Sequence, residues 1–82
     1  MHSITDIYSM CIIIKTFPMN TGIQNSLISK LSAVERSMTE GRTNQAKHTF
    51  SAFLNEVEAQ TGKALTEDQA MGLKRIASRI IF

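Results

Sequence analysis

From residue 20 onward, hydrophobic residues recur at helical spacing in three successive segments. In the first segment they are separated by four, four, three and four positions, which draws one stripe along a helical face. These residues are Ile23, Leu27, Leu31, Val34 and Met38. Asn20 or Thr21 suits the start of such a helix, and Gly41 stands where a left-handed residue often ends one. The spacing predicts a helix over about residues 21–40.

The second and third segments show the same kind of pattern. In the second, the apolar residues share a sector of roughly 100° on a helical wheel, which predicts a helix over about 43–60. They are Ala46, Phe50, Phe53, Leu54 and Val57. In the third, one face predicts a helix over about 66–81. It carries Ala70, Leu73, Ile76, Ala77, Ile80 and Ile81.

The ends of these two helices also carry recognisable signals. Thr43 or Asn44 is a candidate N-cap for the second helix, and Gly62 is placed to end it. Thr66 followed by Gln69 fits a reciprocal capping box at the start of the third. Gly72 falls on the outer side of the third helix, where glycine costs about 1 kcal/mol relative to alanine.

Residues 1–19 allow two interpretations. A helix over about 4–16 would present Ile4, Ile7, Tyr8, Cys11 and Ile14 on one face. The run of three isoleucines at 12–14 suits a strand equally well. We favour the helix, since a single strand in a helical domain has no partner. Pro18 ends either element, because the residue before a proline avoids helical geometry.

These elements predict an all-α fold. Short connections make neighbouring helices antiparallel, so the expected structure is a small bundle of three helices with a possible additional N-terminal helix. The 82 residues form one domain, and a chain of this length buries only about 60–65% of its unfolded surface. The core is therefore thin, and a partner would add to its stability.

Charge and cysteine content exclude several classes of protein. The net charge is +2 with acids and bases interleaved, unlike the clustered positive charge of a nucleic-acid-binding domain. The single Cys11 allows neither an internal disulfide nor a cysteine-rich zinc site. Asp6 occupies the place of a basic signal-peptide region, and no apolar run approaches the roughly 18 residues of a membrane span. Taken alone, such a chain is expected in the cytoplasm.

Candidate catalytic residues are scarce. His48 is predicted to lie opposite the apolar stripe of its helix, without a second ligand at helical spacing. A metal site from His2 and Asp6 is not expected at a chain end. Glu56 and Glu58 are two residues apart and do not face each other on a helix. We expect no enzyme activity, no catalytic residues, no cofactor and no metal.

The residues offer two candidate binding surfaces. Lys74, Arg75 and Arg79 give the last helix a basic side, although three charges are equally typical of a solvated face. The methionines do not form one stripe that would line an adaptable groove, and most are expected to fill gaps in the core. The methionines in question are Met10, Met19, Met38 and Met71.

The segment from Gly22 to about Ile81 resembles the FIMAH domain, a small helical module of bacterial and archaeal secreted and surface proteins. The matching stretches are "GIQNSLISKLSA", "GRTNQA" and "FSAFLNEVEAQTGKALT". The first two are weak signals, whereas the third is specific. Its residues suggest a folding signature, with Gln60, Gly62 and Lys63 reversing the chain and Leu65 packing back as a hydrophobic staple.

The resemblance implies a non-catalytic accessory domain, extracellular or on the cell surface, with a neighbouring domain or protein as partner. It supplies no catalytic residues and no small-molecule substrate. Residues 1–19 do not match the family pattern, so we divide the chain into an N-terminal segment at 1–19 and a FIMAH-like bundle at 20–82. One hypothesis is that the chain is the end of a longer exported protein.

The leading hypothesis is therefore an accessory or interaction module that packs against a neighbour. It predicts an exposed apolar patch near residues 12–17 and at the C-terminal "RIIF". The alternative is a free-standing helical protein that binds nucleic acid or an acidic surface through Lys74, Arg75 and Arg79. Such binding would weaken steeply with salt. Enzyme activity ranks behind both.

Overall fold

The computed structural model describes the backbone of residues 2–80 and the side chains of residues 5–80. It contains four helices: α1 (His2–Thr16), α2 (Thr21–Thr39), α3 (Thr43–Gln60) and α4 (Glu67–Ala77). Across this described part of the chain there is no strand beyond one isolated bridge, which joins Thr61 to Leu65. The predicted all-α fold is confirmed, and the helix favoured near the N-terminus is present.

The four helices form a closed ring. Each helix packs on its neighbour in sequence, and α4 returns to pack on α1, whereas the two diagonal pairs lie farther apart. The molecule measures 34 × 21 × 19 Å. Its long axis is close to the roughly 28 Å length of a 19-residue helix such as α2. None of the helices in residues 2–80 combines the length and the apolar content that crossing a bilayer requires.

α1 contributes directly to the core. Ile7, Met10 and Ile14 are buried in the same cluster as the apolar residues of the other three helices. The predicted face of α1 was partly wrong, because Tyr8 is 53% exposed and Cys11 is only half-buried. The centre of the buried face lies at Met10, one residue back from Cys11, so the stripe runs 7, 10, 14. The predicted place of Ile4 lies outside the described side chains.

α2 and α3 bury the stripes that the sequence predicts. On α2 the buried residues are Leu27, Leu31, Val34 and Ser37, and on α3 they are Ala46, Phe50, Phe53 and Val57. Ile23, Met38 and Leu54 pack against the core from its edge. The rings of Phe50 and Phe53 stack with centroids 5.8 Å apart. Helical periodicity was therefore sufficient to place this half of the core.

The turn between α2 and α3 explains why the predicted cap of α3 was wrong. Arg42 donates its N–H to Ser37 O at 2.7 Å and Gly41 donates to Met38 O at 3.2 Å, the two bonds of a Schellman motif. Gly41 takes the required positive φ of 78°. The carbonyl of Arg42 then accepts the first helical bond of α3, from Ala46. Arg42 thus ends one helix and begins the next, and Thr43 is drawn inside α3 instead of capping it.

The starts of α2 and α4 follow the sequence signals. The side chain of Asn20 accepts hydrogen bonds from the N–H groups of Gly22 and Ile23. Of the two predicted candidates, Asn20 and not Thr21 is therefore the N-cap. At α4, Thr66 and Gln69 form both bonds of the capping box, at 2.9 and 3.1 Å. These bonds satisfy N–H groups that have no partner within a helix.

The connection between α3 and α4 reverses the chain over a buried leucine. Gly62, at a φ of 83°, donates its N–H to Leu65 O, and Leu65 donates in turn to Gln60 O. Leu65 is 1% exposed. This confirms the prediction that Leu65 packs back beneath the turn.

α4 is shorter than predicted, ending at Ala77 instead of near residue 81. Beyond Ser78, the bonds span three residues instead of four, from Arg79 to Ile76 O and from Ile80 to Ala77 O. This tightening is typical of a final helical turn. Ile80 is 9% exposed, so the predicted exposed patch at "RIIF" is wrong at this position. Ile81 and Phe82 lie outside the described residues.

α2 also fixes the end of α1 through a side chain. Gln24 donates from Nε2 to the carbonyls of Ile14 and Lys15, at 3.1 and 3.3 Å. These carbonyls belong to the last turn of α1, where no later N–H is available within the helix. The contact ties α1 to α2 beside the short connection between them.

Candidate functional site

His48, the histidine within the second predicted helix, lies on the exposed surface of α3. It lines a shallow concavity of about 440 Å³ with Asn44, Lys47 and Ser51. Within the described residues, no group of three or more His, Cys, Asp or Glu side chains is arranged to hold a metal ion. The prediction concerning His2 and Asp6 depends on a side chain outside the described set.

Glu56 and Glu58 face two different neighbouring helices. Glu56 Oε1 accepts hydrogen bonds from Lys30 Nζ and Ser26 Oγ on α2, each at 2.9 Å. Lys30 also donates to Ser26 Oγ at 3.0 Å, which closes a triangle. Glu58 forms an ion pair with Lys74 on α4. Their two-residue spacing therefore joins α3 to both of its neighbours.

Tyr8 and Cys11 lie on the side of α1 that faces α2. The Tyr8 hydroxyl donates to Glu35 Oε1 at 2.8 Å, and this bond, with the negative charge of Glu35, raises the pKa of Tyr8. Burial raises the pKa of the Cys11 thiol, while Lys15 acts in the opposite direction. The thiol is thus held in its less reactive, protonated form.

The basic side predicted for α4 is divided. Lys74 pairs with Glu58, whereas Arg75 and Arg79 are exposed and form no ion pair within residues 5–80. Asp68, in the first turn of the same helix, is exposed as well. The solvent-facing side of α4 therefore has an acid at one end and bases at the other, and nothing in it favours a phosphate backbone specifically.

A largely apolar concavity lies between α1 and α4. This α1–α4 groove has a volume of about 290 Å³. It is lined by Ile13, Phe17, Asp68, Gln69, Gly72, Leu73 and Ile76. Ile13 lies on α1 and Phe17 directly follows its last residue, Thr16, whereas Gly72 and Ile76 are one turn apart on α4. The groove is thus a strip between two antiparallel helices.

Gly72 is what opens the groove. It lies in the interior of α4, where its conformational freedom costs about 1 kcal/mol relative to alanine. A Cβ added there would meet no atom within 4 Å. Packing within the chain therefore does not require a glycine at this position. Its missing side chain leaves Ile13, Phe17 and Ile76 accessible from outside.

The sequence located only one wall of this groove. The predicted apolar patch at 12–17 includes Ile13 and Phe17, which do line it. Ile12 is 63% exposed, but it is not among the lining residues because it points about 100° away around α1. The wall from α4 was missed. A glycine on the outer side of a helix, with Ile76 four residues later, was the available signal.

A family model described as the FIMAH domain matches residues 19–82. The match covers α2, α3 and α4 and begins just after α1. No curated protein and no solved structure gives a significant match to the chain.

Proposed function

Because the chain belongs to the FIMAH domain family, we propose that it is a non-catalytic helical accessory module that works by packing against a partner. The module would be a terminal domain or fragment of a larger exported multidomain protein. Its partner would be a neighbouring domain or another protein, and it would take no small-molecule substrate and no cofactor.

The observation that carries this proposal is the α1–α4 groove. Its walls bring the half-buried side chains of Ile13, Phe17 and Ile76 together at one surface. Apolar strips with a polar rim are typical of surfaces that receive another polypeptide. Asp68 and Gln69 supply the polar end.

The charged residues between helices support a non-catalytic role. Glu56 is engaged with Lys30 and Ser26, and Glu58 with Lys74. These contacts join α3 to α2 and to α4, so both carboxylates have structural roles. A general acid or base would instead need a carboxylate directed at a substrate.

The proposed export and parent protein are tested on the native polypeptide. Source cells would be separated into cytoplasmic, surface and secreted fractions, and tryptic peptides from α3 would be followed by mass spectrometry. The intact mass of the polypeptide that contains them would then be measured. We expect a larger protein in the surface or secreted fraction. An 82-residue product confined to the cytoplasm would overturn the proposal.

Partner packing is tested separately with a photo-crosslinking amino acid at Phe17 in the full chain. Crosslinks to another polypeptide, or to another domain of the parent, are expected from this position. The matched control carries the same amino acid at exposed Ser51 on α3, outside the groove. Equal crosslinking from both positions would contradict a role of the groove.

A further inference from the structure

We propose that the occupant of the α1–α4 groove is a second copy of this chain, with the two α4 helices lying antiparallel and crossing at Gly72. The inference rests on the proposed function of the groove as a docking surface and names its partner. Two independent observations carry it.

The first observation is the glycine itself. Gly72 is exposed within α4, and the space above it is empty within the chain. Close approach of another backbone is one of the physical reasons for a glycine inside a regular element. Small residues at a crossing point allow two helices to approach each other in this way. The partner is therefore expected to lie across α4 at this residue.

The second observation is the order of charges along α4. Asp68 lies four residues before Gly72, while Arg75 and Arg79 lie three and seven residues after it. When two such helices cross antiparallel at Gly72, Asp68 of each copy lies at the level of residues 75–76 of the other. In each of these two symmetric contacts, the negative Asp68 of one copy lies near the positive Arg75 of the other. A surface that is complementary to itself is the requirement of a two-fold dimer.

The side chains around the crossing suit this arrangement. Ile13, Phe17 and Ile76 provide an apolar floor on each copy. Met71, which is 56% exposed beside Gly72, adds a flexible apolar side chain at the rim. Neither Asp68 nor Arg75 has an ion pair within residues 5–80, so both are available to a second copy.

The first test measures molar mass by light scattering on the full chain, from about 10 µM to about 1 mM, the range expected of a small and weak interface. The mass should rise towards twice that of the chain. The rise should require higher concentrations as salt increases, because the pairs lie at an exposed rim. A monomer over the whole range would overturn the proposal.

Gly72→Leu tests the crossing point. The added side chain fills the groove, so the dissociation constant should rise at least about tenfold while the far-UV circular dichroism of the helices is retained. Ala52→Leu places a leucine on the exposed surface of α3 and should leave the dissociation constant unchanged. A dimer that is indifferent to Gly72→Leu would show that another face is used.

Charge reversal tests the orientation of the helices. Asp68→Arg and Arg75→Asp should each weaken self-association at least about tenfold, because each substitution places like charges opposite each other in both symmetric contacts of the dimer. Mixing the two variants should restore a dimer, since one copy then carries both bases and the other both acids. Glu67→Arg makes the same charge change in the same helical turn, and should weaken association less.

Failure to restore association in the mixture would overturn the antiparallel crossing. This outcome does not affect the test of the proposed function. The cell fraction that contains the native polypeptide, and its intact mass, do not depend on self-association. A crosslink from Phe17 to a different polypeptide, combined with a monomeric chain, would retain the docking surface and reject the second copy as its occupant.

Discussion

Two of the four helix–helix contacts of the bundle, the α2–α3 seam and the α1–α4 seam, differ in how completely they are closed. At the α2–α3 seam, apolar stripes meet along both helices, and the triangle of Lys30, Glu56 and Ser26 covers the edge. At the α1–α4 seam, Ile13 and Phe17 are only half-buried and Gly72 leaves the edge open. Polar contacts cover the edge of the α2–α3 seam, whereas the α1–α4 seam leaves apolar surface exposed at its edge.

This difference bears on how the two seams contribute to the stability of one small domain. Helices that bury most of an apolar stripe gain the free energy that a thin core needs. An open seam forgoes part of that gain. The contrast predicts that equal substitutions at the two seams have unequal effects.

The largest expected effect is at Phe53, which is fully buried and stacked on Phe50. Phe53→Ala should lower the free energy of unfolding by about 3–5 kcal/mol, a large share of a total of about 5–15 kcal/mol. Phe17→Ala removes the same atoms at the open seam and should cost clearly less, because Phe17 is half-buried. Urea unfolding followed by circular dichroism measures both. Similar losses would mean that the seams are not energetically distinct.

A second comparison divides α1 into its inner and outer faces. Met10 is fully buried, whereas Ile12, two residues later, is 63% exposed. Met10→Ala should lower the free energy of unfolding by about 2–5 kcal/mol, and Ile12→Ala should change it by less than about 0.5 kcal/mol in the monomer. Thermal melting at low concentration separates the two. If Met10→Ala were neutral, α1 would be an attachment and not part of the core.

The polar edge of the α2–α3 seam should contribute less than its apolar stripe. A double-mutant cycle with Lys30→Met and Glu56→Gln should give a coupling energy of about 0.5–1 kcal/mol, since the ion pair is partly exposed. Raising the salt concentration should reduce this value. A coupling larger than the loss at Phe53 would reverse the proposed order of the contributions.

The smallest effect is expected at the contact of α1 with α2, between Tyr8 and Glu35. The raised pKa of Tyr8 means that the folded state keeps the hydroxyl proton to higher pH than the unfolded state. The stabilisation is therefore complete below the ordinary tyrosine pKa of 10.0 and is lost as pH rises through the raised value. Between about pH 9 and about pH 11, the urea midpoint of unfolding should decrease more for the native chain than for Tyr8→Phe. Parallel falls would contradict a stabilising bond.

Sequence periodicity was sufficient for features that depend on one helix at a time. The buried faces of α2 and α3, the capping box at Thr66 and the positive φ of Gly62 all follow from local signals, and the cap of α2 was narrowed to Asn20 or Thr21. Each depends on residues a few positions apart, whose relation is fixed by helical geometry.

Features that join two elements were harder to predict. Arg42 carries no capping signal, and its role follows from a turn too short to give each helix its own end residue. Gln24 donates hydrogen bonds to the carbonyls of Ile14 and Lys15 on α1, which lie ten and nine residues earlier in the chain. The groove required the register of α1 against α4, which lie at opposite ends of the chain. The division at residue 19 stays a prediction, although the buried residues of α1 and α2 belong to one cluster.

The compact turn at Arg42 also has a consequence for the order in which the chain folds. It joins α2 and α3 through neighbouring residues, so the pairing of these helices closes a very short loop. The contact of α1 with α4, in contrast, requires residues from the two ends of the chain to come together. We therefore expect α2 and α3 to associate first. Amide hydrogen exchange should be slowest in these two helices and faster in α1 and α4. The groove would then be the last surface to exist as the chain folds and the first to vanish when the molecule opens locally.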